Sequence, residues 1–118
     1  MQATLEPFLR DDYESRVFTP EFLEVIRLFE RYRGDTFRFL KETAVFLAKQ
    51  RGEVSADDLQ EVVSYFNIEG DRRIIGAALG DLYRKGILVK LYERPTGRRE
   101  AHGRKIGVYG IPGAGKNA

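Results

Sequence analysis

Apolar residues recur at helical spacing through most of the chain and give way near its end to two runs rich in branched and aromatic residues. Thr19-Pro20 predicts a helix start, since Thr caps well and Pro is favoured at the first helical position. Phe22, Val25, Ile26, Phe29 and Arg33 keep helical spacing over 20–33, and Leu23 and Tyr32 widen the stripe. Gly34-Asp35 interrupts the pattern, and Asp35 caps a second predicted helix over 36–51. Phe37, Leu40, Ala44, Leu47 and Ala48 form one face there, broadened by Phe39, Val45 and Phe46, so this helix is expected to be buried on more than one side. Gly52 ends it and Glu53-Val54 reads as a short extended link. Ser55 and Asp58 have capping-box spacing, ahead of a third helix with Leu59, Val62, Val63 and Phe66 inward. Asn67-Ile68-Glu69-Gly70 is a turn, Asp71 caps a fourth helix running to Lys85, and Gly86 supplies a left-handed stop. Ile87–Glu93 and Lys105–Ile111 read as two strands pairing in a hairpin, its long tip kept out of the sheet by Pro95, Gly97 and Gly103.

The fourth helix has two unlike sides. At 100° per residue Ile75, Ala78, Leu79 and Leu82 gather inward, opposite Arg73, Gly76, Ala77, Gly80 and Arg84. Each of the two glycines costs roughly 1 kcal/mol of helix stability relative to Ala, which calls for a compensating role. One is close approach of the helix backbone to a phosphate chain or a groove floor. The other is room for a neighbouring helix, with 20–33 the candidate.

Charge separates the halves. Residues 1–69 hold nine Lys/Arg against fourteen Asp/Glu, a net of −5, and residues 70–118 hold eleven against four, a net of +7. Much of the basic charge lies between the two strand runs, where Arg94, Arg98, Arg99, Arg104 and Lys105 face one acid, Glu100. A basic hairpin tip directly after an arginine-flanked helix points to a polyanion, most commonly nucleic acid. The 118 residues fit one domain, with enough apolar and aromatic content for a core. Without Cys, disulfides and cysteine metal sites are excluded, and the single His102 excludes a histidine-rich zinc site. No apolar run is long enough for a membrane span and the N-terminus lacks the pattern of a signal peptide, so a cytoplasmic protein with no membrane partner is expected.

The order of helix, short strand, helix, turn, helix and basic-tipped hairpin over 35–111 resembles the winged-helix form of the helix-turn-helix domain. The run from Arg73 through Lys85-Gly86-Ile87-Leu88 looks like a recognition helix passing into the first wing strand. A weaker likeness, carried by Ala101-His102-Gly103-Arg104, is to small phage and prophage winged-helix proteins. The resemblance implies a mainly α chain with a small β-hairpin, an α+β fold carrying an extra N-terminal helix. It also implies a helix in the major groove of double-stranded DNA, with Arg72 and Arg73 at the end that reaches bases and a wing along the phosphates or in the minor groove. The expected DNA contacts are Arg72, Arg73, Arg84, Arg94, Arg98, Arg99, His102, Arg104 and Lys105. Gly76, Ala77 and Gly80 cannot read a base edge by hydrogen bond, so phosphate contacts are expected to dominate, with modest base specificity. The expected role is in transcription regulation or in replication and recombination.

Around this domain, residues 1–19 read as an arm, helix 20–33 as a candidate homodimer or partner contact, and 112–118 as a flexible tail. Gly110–Asn117 has the spacing of a phosphate-binding loop up to Lys116, but Asn117 replaces the magnesium-binding Ser or Thr and no helix follows. No nucleophile-and-base pair, metal site, cofactor motif or small-molecule substrate is legible, so an enzyme is not expected. The alternative reading is a winged-helix protein–protein interaction module within a larger nucleic-acid-processing assembly. An RNA target is less favoured, because the basic loop lacks an aromatic platform for unpaired bases.

Overall fold

The computed structural model describes residues 20–70, 72–96 and 104–113. They form an α+β fold of four helices and a three-stranded antiparallel sheet: α1 Pro20–Arg31, α2 Thr36–Arg51, β1 Val54–Ser55, α3 Ala56–Tyr65, α4 Arg73–Arg84, β2 Val89–Pro95 and β3 Lys105–Gly110. The expected N-terminal arm, the Asp71 cap and the wing-tip residues Arg98, Arg99 and His102 lie outside the described residues, as does the second half of the phosphate-loop-like run.

Helix α2 is the centre of the fold. Asp35 starts it by accepting a hydrogen bond from the Arg38 amide at 3.1 Å, and the Gly52 amide closes it by donating to the Ala48 carbonyl at 2.9 Å. Phe39, Leu40, Thr43, Ala44, Leu47 and Ala48 are all buried, which is the wide coverage predicted for a helix with neighbours on several sides.

Helix α1 lies against α2, with Val25 and Leu28 buried. Its aromatic rings reach the end of α3: Phe29 stacks on Phe66 at 4.2 Å between centroids, and Phe22 meets Tyr65 edge-on at 4.5 Å. Burial in this cluster pushes the Tyr65 hydroxyl pKa up to about 12. Arg51, near the end of α2, grips both oxygens of Glu21 at 2.9 and 3.0 Å and so fixes the start of α1.

The inward residues of α4 are the four predicted: Ile75, Ala78, Leu79 and Leu82. Its C-terminus closes with two bonds, Gly86 N–H to the Tyr83 carbonyl at 3.1 Å and Ile87 N–H to the Leu82 carbonyl at 2.9 Å. That pairing is a Schellman motif, and it needs the positive φ of +75° that Gly86 supplies. Ile87 and Leu88 are taken up in this closure, so β2 begins at Val89 rather than Ile87, and it runs past Glu93 to Pro95, which pairs with Lys105 instead of standing outside the sheet as expected.

The expected two-stranded hairpin is part of a larger sheet. Strand β1 pairs with β3 through Val54–Tyr109 and Ser55–Val108, giving the order β1-β3-β2. Val54, Leu88 and Val108 are buried where the sheet meets the helices. The β2–β3 register shifts by one residue between Lys90 and Tyr92, leaving Leu91 as the bulged position. A Cβ on Gly110 would lie 2.8 Å from Leu91 Cδ1 and 3.1 Å from the Gly52 carbonyl oxygen, so a side chain there would force β3 away from the end of α2.

Candidate nucleic-acid interface

Among the described residues the side of α4 opposite the core is uncovered. Arg72, Arg73, Gly76, Ala77 and Arg84 are exposed and Gly80 is half-buried. Among the described residues, apart from the adjacent residues and the helix's own backbone, no atom lies within 4 Å of where a Cβ on Gly76 would sit, and one on Gly80 would meet Arg84 Nη1 at 3.4 Å. The glycines therefore do not seat helix α1, which packs on α2 and the end of α3.

One flank of α4 is tied to the fold by charge. Asp81 accepts hydrogen bonds from Lys41 of α2 at 3.0 Å, and it also pairs with Lys85 at 3.0 Å and Arg84 at 3.5 Å. The Lys41 and Lys85 hydrogen bonds hold the Asp81 carboxyl below its ordinary pKa. Arg84 sits at the rim of this cluster with its side chain 70% exposed.

The other flank adjoins the hairpin. The Tyr83 and Tyr109 rings meet with centroids 5.8 Å apart at 63°. Tyr109 shares a strand face with Gly107 and Lys105, by the two-residue period of β3. A Cβ on Gly107 would meet the Tyr109 hydroxyl at 2.9 Å and Lys90 Cε at 3.1 Å, which places those two side chains together over the glycine. Lys90 donates to Glu93 at 2.7 Å; that bond raises the lysine pKa and lowers the carboxyl pKa. Lys105 is exposed on this face where β3 begins, while Arg104, also exposed, precedes it and by the same period belongs to the opposite face. The outer face of the hairpin is thereby continuous with the outer side of α4.

The opposite face of the hairpin is occupied. Arg94 donates to Ser55 Oγ at 3.2 Å and lies 3.8 Å from Asp57, and the Thr96 hydroxyl donates to Asp57 at 2.7 Å. The Tyr92 hydroxyl donates to Glu53 at 2.8 Å, which raises the Tyr92 pKa. Asp57 and Asp58 stand in the first turn of α3, where the helix dipole favours acids, and Asp58 also accepts from the Ser55 amide at 2.8 Å. Arg94 thus fastens the wing-like hairpin to the start of α3.

Of the predicted contacts, Arg73 and Arg84 share the open α4–hairpin surface with Lys105, while Arg94 points to the other face. Arg72 lies at the N-terminal end of α4, where it helps line a pocket of about 250 Å³ with Thr36, Gln60, Asn67 and Glu69. Sequence reasoning missed Tyr83, Lys90 and Tyr109. Tyr109 could have been found from its alternation with buried Val108, and Tyr83 from its place three residues past Gly80.

Among the described residues no group of three His, Asp or Glu side chains is placed to hold a metal ion, and no helix is long and apolar enough to cross a membrane. No protein-family model, curated protein or solved structure matches this chain.

Proposed function

We propose that this chain is a DNA-binding protein of the winged-helix type, with α4 as the helix that enters the major groove and the β2–β3 hairpin as the wing. The observation that carries the reading is the open outer side of α4. It has an arginine at each end, uncovered backbone at Gly76 between them, and a basic hairpin face directly beside it. A phosphate backbone suits this surface: the cations neutralise its charge, and the absence of a side chain at Gly76 permits close approach, with the Arg84 guanidinium over Gly80 beside it. The order of the elements and the short β1 pairing with the hairpin support the same reading.

Fluorescence anisotropy of a labelled duplex against salt concentration tests it. Neutralising four or five phosphates gives an affinity loss of about 100- to 500-fold between 50 and 200 mM salt, from counterion release. A flat salt response, or no binding at micromolar protein in low salt, rejects the reading in favour of a protein-interaction module.

A further inference from the structure

Charge does not explain the two tyrosines between α4 and the hairpin. Tyr83 projects from the helix with 51% of its surface exposed, outside the buried set Ile75, Ala78, Leu79 and Leu82. Tyr109 is half-buried and packs against the core on one side, so it backs Tyr83 from a fixed position. A half-exposed ring held by a second ring, with Arg84 next in sequence and Lys90 alongside, combines a flat π surface with positive charge. Within an intact duplex every base face is already covered by its neighbours. A free face exists where pairing stops, and aromatic side chains stack such bases with little regard to sequence.

We propose that Tyr83, braced by Tyr109, stacks the first unpaired base beside a duplex, so that the preferred target is a DNA end or fork with a single-stranded overhang. This rests on the DNA-binding reading above and narrows it. Arg73 and Arg84 hold the paired part along α4, while Lys90 and Lys105 meet the phosphates of the strand that leaves it.

The test compares blunt duplexes with duplexes carrying a short 3′ or 5′ overhang, by anisotropy with the full chain. The expected result is about tenfold tighter binding of one overhang, the scale of a single base–aromatic stack. Tyr83→Ala should remove that preference and Tyr83→Phe should keep it, with the thermal melt of each variant confirming that it folds. 2-Aminopurine placed as the first unpaired base should be quenched by the wild type and less so by Tyr83→Ala. Equal binding of blunt and overhang duplexes, or a preference that survives Tyr83→Ala, overturns the stacking proposal while leaving duplex binding intact. Failure of every duplex to bind overturns both.

Discussion

The two faces of the β2–β3 hairpin are built from similar residues and are used differently. On one face Tyr92, Arg94 and Thr96 give their polar groups to Glu53, Ser55 and Asp57, so they serve the fold. On the other, Lys90, Lys105 and Tyr109 join the outer side of α4 and leave cationic and aromatic surface in solvent. A basic residue on a hairpin is therefore not by itself evidence of a ligand. Arg94 is held by Ser55 and Asp57 at the start of α3, far back in the chain, whereas the acid near Lys105 is Glu93 of its own hairpin, already bonded to Lys90.

This contrast can be broken by substitution. The largest effect is expected from reversing charge on the open face. Arg84→Glu combined with Lys105→Glu should weaken duplex binding about 100-fold at moderate salt and flatten the salt dependence, because two phosphate contacts become repulsions. The thermal midpoint should stay within a few degrees, since both side chains are exposed. If the melt collapses instead, the open face is structural too and the two faces do not differ in kind.

The reverse pattern is expected on the occupied face. Asp57→Ala removes the acceptor of the Thr96 hydroxyl and the acid 3.8 Å from Arg94, which keeps its bond to Ser55, and takes an acid from the first turn of α3. Stability should fall by about 1–2 kcal/mol, roughly 5–10 °C in the midpoint of a domain this size. Duplex affinity measured well below that midpoint should change little. A large loss of affinity with an unchanged melt would place this face in the contact surface.

The smallest effect sharpens the account of the open helix side. Gly76→Ala meets no neighbouring atom and needs no unusual backbone, so it should stabilise the protein by about 0.5–1 kcal/mol through helix propensity. Duplex affinity should fall at the same time, because the methyl group holds a phosphate chain away from the backbone. Stabilisation without loss of affinity would show that nothing approaches closely there.

Local pattern made much of the fold legible. The boundaries of α2, the cap at Asp35 and the inward set of α4 follow from helical periodicity and cap chemistry, both of which act within a few residues. The pairing of Val54–Ser55 with β3 joins positions more than 50 residues apart, and the link before α3 carries no local sign of its partner. The position of α1 was open for the same reason, because small residues on α4 and an apolar stripe on α1 are compatible with contact until Phe29 and Phe66 are seen stacked. At the candidate site, helical periodicity puts Arg73 and Arg84 on the exposed side of α4, while the charge run groups Arg94 with Lys105, because linear charge density does not encode which face a side chain takes. Tyr83 and Tyr109 were passed over because each looks like an ordinary core or strand aromatic until their contact is known.

The joint between α4 and β2 allows very little slack. Leu82 accepts from both Ile87 and Leu88, and the Leu88 side chain is sealed inside the protein. Helix and hairpin are thereby joined with no spare residue between them, so the direction of β2 is set by the last turn of α4. A residue inserted at this joint would turn the hairpin relative to the helix and separate Tyr83 from Tyr109.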